Sequence, residues 1–121
     1  MKHIKNSQFL FIDDDGQEKI FLREKYFEFV CLLITDFFNK KIIENEFHSY
    51  FISLLNNLED YESVDYINHQ IPYHWALSII QNKHTTDSYT PEELEQLLEF
   101  SLKFDKQNNL TSFIIARPLS S

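Results

Sequence analysis

The 121-residue chain carries 19 acidic against 11 basic residues, a formal charge of -8, and is 43% hydrophobic and 16% aromatic. That length holds one domain with its own core, and the aromatic content offsets the entropy of ordering it, which excludes a disordered polar tail. The acidic balance argues against direct binding of nucleic-acid phosphates and favours a basic partner over an acidic one.

One glycine and 3 prolines are poor supply for the turns of an all-β protein or for a phosphate-cradling loop. The expected fold is therefore mainly α: a compact bundle of about four helices in a single domain over 1–121, with a short N-terminal hairpin or extended terminal segments. Cys31, the only cysteine, excludes an intramolecular disulfide and a cysteine-built zinc cage, and its apolar neighbours predict a core position. No charged-then-apolar leader opens the chain, and no apolar run approaches the ~20 residues of a bilayer span. A cytoplasmic protein with no membrane partner, monomeric when free, is expected.

In chain order, "FLFIDDDGQEKIFL" (9–22) sets two apolar runs around an acidic cluster ending in Gly16, which suits a β-hairpin or an irregular arm entering a helix near Glu18. From Arg23 to Asn39, Tyr26, Phe27, Val30, Leu33, Ile34, Phe37 and Phe38 recur at helical steps and predict the most buried helix. Phe47, Tyr50, Phe51, Leu54, Leu55 and Leu58 predict a second helix from Glu44 to Leu58. The stretch 59–70 loses the period and reads as a loop or broken helical turn. Pro72 favours a third helix over Pro72–Asn82, with Trp75 as a core anchor and Tyr73 and His74 nearer the surface. Thr90, Pro91 and Glu93 form a capping-box start for a fourth helix, whose inner face is expected from Leu94, Leu97, Leu98 and Leu102. Two asparagines end it, and "SFIIA" follows as a short strand or extended tail.

Chemistry is weakly signalled. Glu44 and His48, four apart, have the spacing of two metal ligands but lack a third, so an exposed pair is expected. His69 and His74 flank Pro72 without a zinc pattern and read as surface or capping groups. No GxSxG elbow, phosphate loop or dinucleotide fingerprint occurs, and clustered carboxylates on turns are usually solvated. No enzyme activity, no cofactor and no metal is expected.

What stands out is a surface property. Glu59, Asp60, Glu62, Asp65, Asp87, Glu92, Glu93, Glu95 and Glu99 fall in two segments, 59–65 and 87–99, each without Lys or Arg, with Tyr61, Tyr66, Tyr73 and Tyr89 interleaved. Tyrosines among carboxylates suit an interface for a basic protein, and an ordinary solubilising acidic surface is the alternative. The candidate partner-binding residues are Glu59, Asp60, Tyr61, Glu62, Asp65, Tyr66, Asp87, Tyr89, Glu92, Glu93 and Glu95.

At the junction of the first two helices, "FFNKKIIENEF" places Phe37, Lys41, Ile42, Glu46 and Phe47 in an F-x3-K-I-x3-E-F pattern. This resembles the helix-loop-helix entry of colicin D immunity-type proteins and similar immunity proteins of contact-dependent growth inhibition systems, over roughly residues 27–58. The resemblance implies an all-helical cytoplasmic inhibitor that covers the basic cleft of a cognate nuclease toxin, often an RNase acting on tRNA. The acidic charge fits that reading independently, as a mimic of RNA phosphates. It implies no particular contact residue, so the surface above rests on charge. An acidic helical adaptor with a different partner is the alternative.

Overall fold

A computed structural model describes residues 4–117. It comprises β1 (Phe9–Ile12), β2 (Glu18–Phe21), α1 (Arg23–Leu32), α2 (Glu46–Asn56), α3 (Tyr61–His69), α4 (Pro72–Gln81), α5 (Pro91–Asn108) and β3 (Ile114–Ala116). Over the described residues the protein is mainly α, but with five α-helices rather than about four, and with an antiparallel sheet ordered β1-β2-β3.

The hairpin reading of the N-terminal segment holds. Phe11 pairs with Lys19, Gly16 takes φ +79°, and Asp13 Oδ1 accepts the N–H groups of Asp15 (3.0 Å) and Gln17 (2.9 Å). An aspartate that bonds the backbone ahead of it, with a glycine at positive φ, is sufficient to turn the chain. The "SFIIA" segment supplies β3, with Ile115 opposite Ile20; the Pro118 and Leu119 end of that tail lies outside the described residues. One sheet face, carrying Phe9, Phe11 and Phe21, packs into the core.

Helix α1 departs from the expected run to Asn39. It passes into a π-helical turn over Leu33–Phe37, where the Phe38 N–H bonds the Leu33 carbonyl at 2.8 Å and Thr35 Oγ1 donates to the Cys31 carbonyl at 3.2 Å. A threonine hydroxyl competing for a helix carbonyl is a usual cause of such local rewinding. Asn39, at φ +55°, follows the turn. Phe37 and Phe38 thereby reach the ring of Tyr73 on α4, with centroids at 6.4 and 5.2 Å, and Phe37 reaches Phe100 on α5 at 5.8 Å.

The segment 59–70, expected as a loop, folds as α3. Asp60 and Ser63 form a capping box, and Val64 and Ile67 are buried three residues apart, too few positions to show a period. Its C-terminal end is tied to the core by the hydroxyl of Tyr26, which donates to the Gln70 carbonyl at 2.9 Å, and by Trp75 Nε1, which donates to the Ile67 carbonyl at 2.9 Å.

Four further expectations are corrected by packing. On α5 the inner side chains are Phe100 and Phe104 against Phe29, with Leu97 partly buried, while Leu94, Leu98 and Leu102 face outward. Tyr73 is buried beneath Phe38 and Tyr89 instead of lying near the surface. His48 is buried against Phe27 and not exposed as expected. Cys31 is half-buried, at the edge of the core and not within it.

A candidate acidic interaction surface

The interior offers little for a ligand to complete: among the described residues, no buried side-chain nitrogen or oxygen lacks a hydrogen-bond partner. Arg23, the buried cation, donates from Nη1 to the Leu55 carbonyl (2.8 Å) and from Nε to the Asn6 carbonyl (2.9 Å), serving the end of α2. A groove of about 420 Å³ between Leu32, Asp36, Phe100, Lys103, Phe104 and Gln107 carries one acid and one base, without a convergent set of chemical groups. The surface is where charge gathers.

Helix α3 centres that surface. Tyr61 packs on Phe11 of β1 with centroids 6.3 Å apart, which draws the hairpin turn against the start of the helix. The Tyr61 hydroxyl is held above its ordinary value by Asp14 first, then Asp65, with Asp13 and Asp15 adding to them. Sequence reading assigned Tyr61 and Asp65 to the surface; the fold adds the acidic turn beside them. Asp13, Asp14 and Asp15 also place one carboxylate oxygen each within 4.8 Å of one another, though Asp13 Oδ1 is engaged by the turn and Oδ2 lies 4.0 Å from Lys19.

On the other side of α3, the hydroxyls of Tyr66 and Tyr50 lie 3.2 Å apart, with 49% and 43% of the residues exposed. Their mutual hydrogen bond, and burial after it, raises the Tyr50 hydroxyl above its usual range. Phe47 supports Tyr50 edge-on at 5.4 Å. Exposed Glu62 stands one helical turn before Tyr66, so carboxylates and phenols alternate across α3. Tyr50 was missed in the sequence because it falls on the apolar period of α2; only the meeting with Tyr66 marks it as part of a surface. Glu59 and Asp60 precede α3, where Asp60 is committed to its cap.

The second acidic segment gathers around Tyr73. Glu93 closes the capping box of α5 with Thr90 and accepts the Tyr73 hydroxyl at 3.1 Å, so it is occupied internally. The Thr90 N–H, then the Tyr73 hydroxyl, hold its carboxyl below the usual range. Burial, reinforced by Glu93, pushes the Tyr73 hydroxyl up to about 12. Tyr89 packs on Tyr73 at 5.3 Å, leaving Asp87, Glu92 and Glu95 as exposed acids of this cluster. Asp87, Glu93 and Tyr89 act on Tyr73, whereas Asp14, Asp65, Asp13 and Asp15 act on Tyr61.

No helix among the described residues is long and apolar enough to cross a membrane. Comparison with protein-family models, with curated proteins and with solved structures finds no match to this chain.

Proposed function

We propose that this chain is a stoichiometric protein inhibitor that binds a basic nuclease toxin domain and covers its active-site cleft. The observation that carries the reading is the α3 surface, where Tyr61 sits among Asp13, Asp14, Asp15 and Asp65 and exposed Tyr66 follows Glu62 by one helical turn. Residues 59–68 contain no Lys or Arg, so the carboxylates present a negative field to a partner. Nucleases that hold RNA need a positive cleft, and carboxylates spaced along a helix can occupy it in place of phosphates. The exposed tyrosines then supply contact area at small entropic cost. The resemblance of "FFNKKIIENEF" to colicin D immunity-type proteins supports the same reading and suggests an RNase acting on tRNA.

Where the neighbouring upstream gene encodes a large secreted protein with a basic C-terminal domain, the test is co-expression with that domain. The unmodified chain should co-purify with that domain and protect cells that make it. A variant carrying Glu62→Lys, Asp65→Lys and Tyr66→Ala should remain folded, lose protection and bind at least about tenfold more weakly. Unchanged, salt-insensitive binding by that variant would remove the acidic mimicry. Co-purification with a different, non-nuclease protein would favour the adaptor.

A further inference from the structure

Strand β1 lies at the edge of the sheet, and no described strand pairs with its outer side. The 2.9 Å bond from the Asp13 N–H to the Gln17 carbonyl sets the phase of the ladder, so Phe11 and Phe9 hydrogen-bond to Lys19 and Phe21 across β2. The main-chain N–H and C=O groups of Leu10 and Ile12 therefore point away from β2, and no described residue pairs with them. Their side chains stand on the solvent face, 50% and 61% exposed, beside half-buried Ile20 and Ile115. Natural edge strands are usually blunted by shortness, a lysine, a proline or a bulge, and the four residues of β1 use only the first. Phe9–Ile12 has no lysine or proline, and its register with β2 runs without interruption.

We infer that this edge docks an extended segment of a protein partner as a further antiparallel strand, apolar beside Leu10 and Ile12 and basic where it enters. Outward main-chain donors and acceptors along a strand edge pair with an extended chain, and an antiparallel strand continues the pattern of the sheet. Charge selects the occupant. The strand ends at Asp13, Asp14 and Asp15, and residues preceding the paired part of an antiparallel segment come to lie along that turn. Among the described residues, Lys19 alone forms an ion pair with the turn, at 4.0 Å. A second copy of the chain would bring a further -8 of charge to the same place, so a basic segment is favoured over self-pairing. The inference rests on the proposed function only for the sign of the partner's charge.

The experiment uses a capped synthetic peptide of two lysines followed by alternating valine and threonine, titrated into the full chain and followed by amide NMR. Shifts centred on Leu10 and Ile12 are expected. Binding should weaken at least about tenfold when the valine nitrogens are methylated, because the new inter-strand bonds cannot then form. Ile12→Pro should have the same effect on the protein side, since its outward N–H is not used by β2 and proline is tolerated on an edge. No binding at about 1 mM peptide, or binding indifferent to methylation, overturns the inference. Sedimentation as a dimer that Ile12→Pro dissociates would also overturn it, in favour of a second copy. The peptide carries no nuclease, so its failure leaves the toxin reading to the α3 variants, and their failure leaves the peptide result intact.

Discussion

The Tyr73 hydroxyl donates to Glu93 Oε2 at 3.1 Å, and the same carboxylate accepts the Thr90 N–H through Oε1 at 3.1 Å. One side chain thus caps α5 and fastens it to α4. Tyr73→Phe removes one bond from a buried ring and should cost about 1 kcal/mol by urea unfolding. The pH dependence has a definite sign. Glu93 titrates below its ordinary value of 4.5 in the folded protein, so its contribution is present above pH 4.5 and disappears as pH falls through the lower folded value. Glu93→Gln should therefore be less stable than the unmodified chain at neutral pH, and the two stabilities should converge in acid. A constant gap down to pH 2 would refute the linkage.

Trp75 is 1% exposed, stacks on Phe51 at 4.8 Å and donates to the Ile67 carbonyl. Trp75→Ala should destabilise the protein by about 3 to 5 kcal/mol, through lost transfer energy and the cavity left behind. Native fluorescence should be blue-shifted relative to the unfolded chain. An emission spectrum already red-shifted in the native state would contradict this placement.

The hairpin depends on Asp13 as an acceptor, since Oδ1 takes two main-chain N–H groups. Asp13→Ala should cost about 1 kcal/mol and lower the melting temperature by about 4 °C, while Asp13→Asn, which keeps the oxygen, should restore most of it. Added magnesium or zinc should leave the melting temperature of the unmodified chain unchanged, because a cation bound by the native state alone would raise it by mass action. A metal-dependent rise that Asp14→Ala abolishes would make the turn a cation site.

Burial, with Glu28 adding to it, pushes the Cys31 thiol up to about 11. The reactive thiolate is then scarce near pH 8, and disulfide reagents should label the native protein more slowly than the urea-unfolded chain. Equal rates in the two states would show the side chain to be freely exposed.

Much of the helical scaffold was legible because its signals are local. Thr90, Pro91 and Glu93 mark the start of α5, Pro72 marks α4, and the period of Phe47, Phe51 and Leu55 marks the buried face of α2; each is set by backbone capping or side-chain spacing within a few residues. The acidic balance and its concentration at 59–65 and 87–99 were equally plain, because charge needs no fold to be counted. Pairing and competition settled the rest. Leu94, Leu98 and Leu102 have helical spacing, yet Phe100 and Phe104 take the inner side of α5 because Phe29 and Phe113 offer aromatic surfaces there. Ile115 becomes a strand residue only opposite Ile20, and Tyr50 becomes a surface residue of interest only where α3 brings Tyr66 to its hydroxyl. Each of these contacts joins residues well separated in the chain, and no local preference encodes which of several apolar faces finds a partner first.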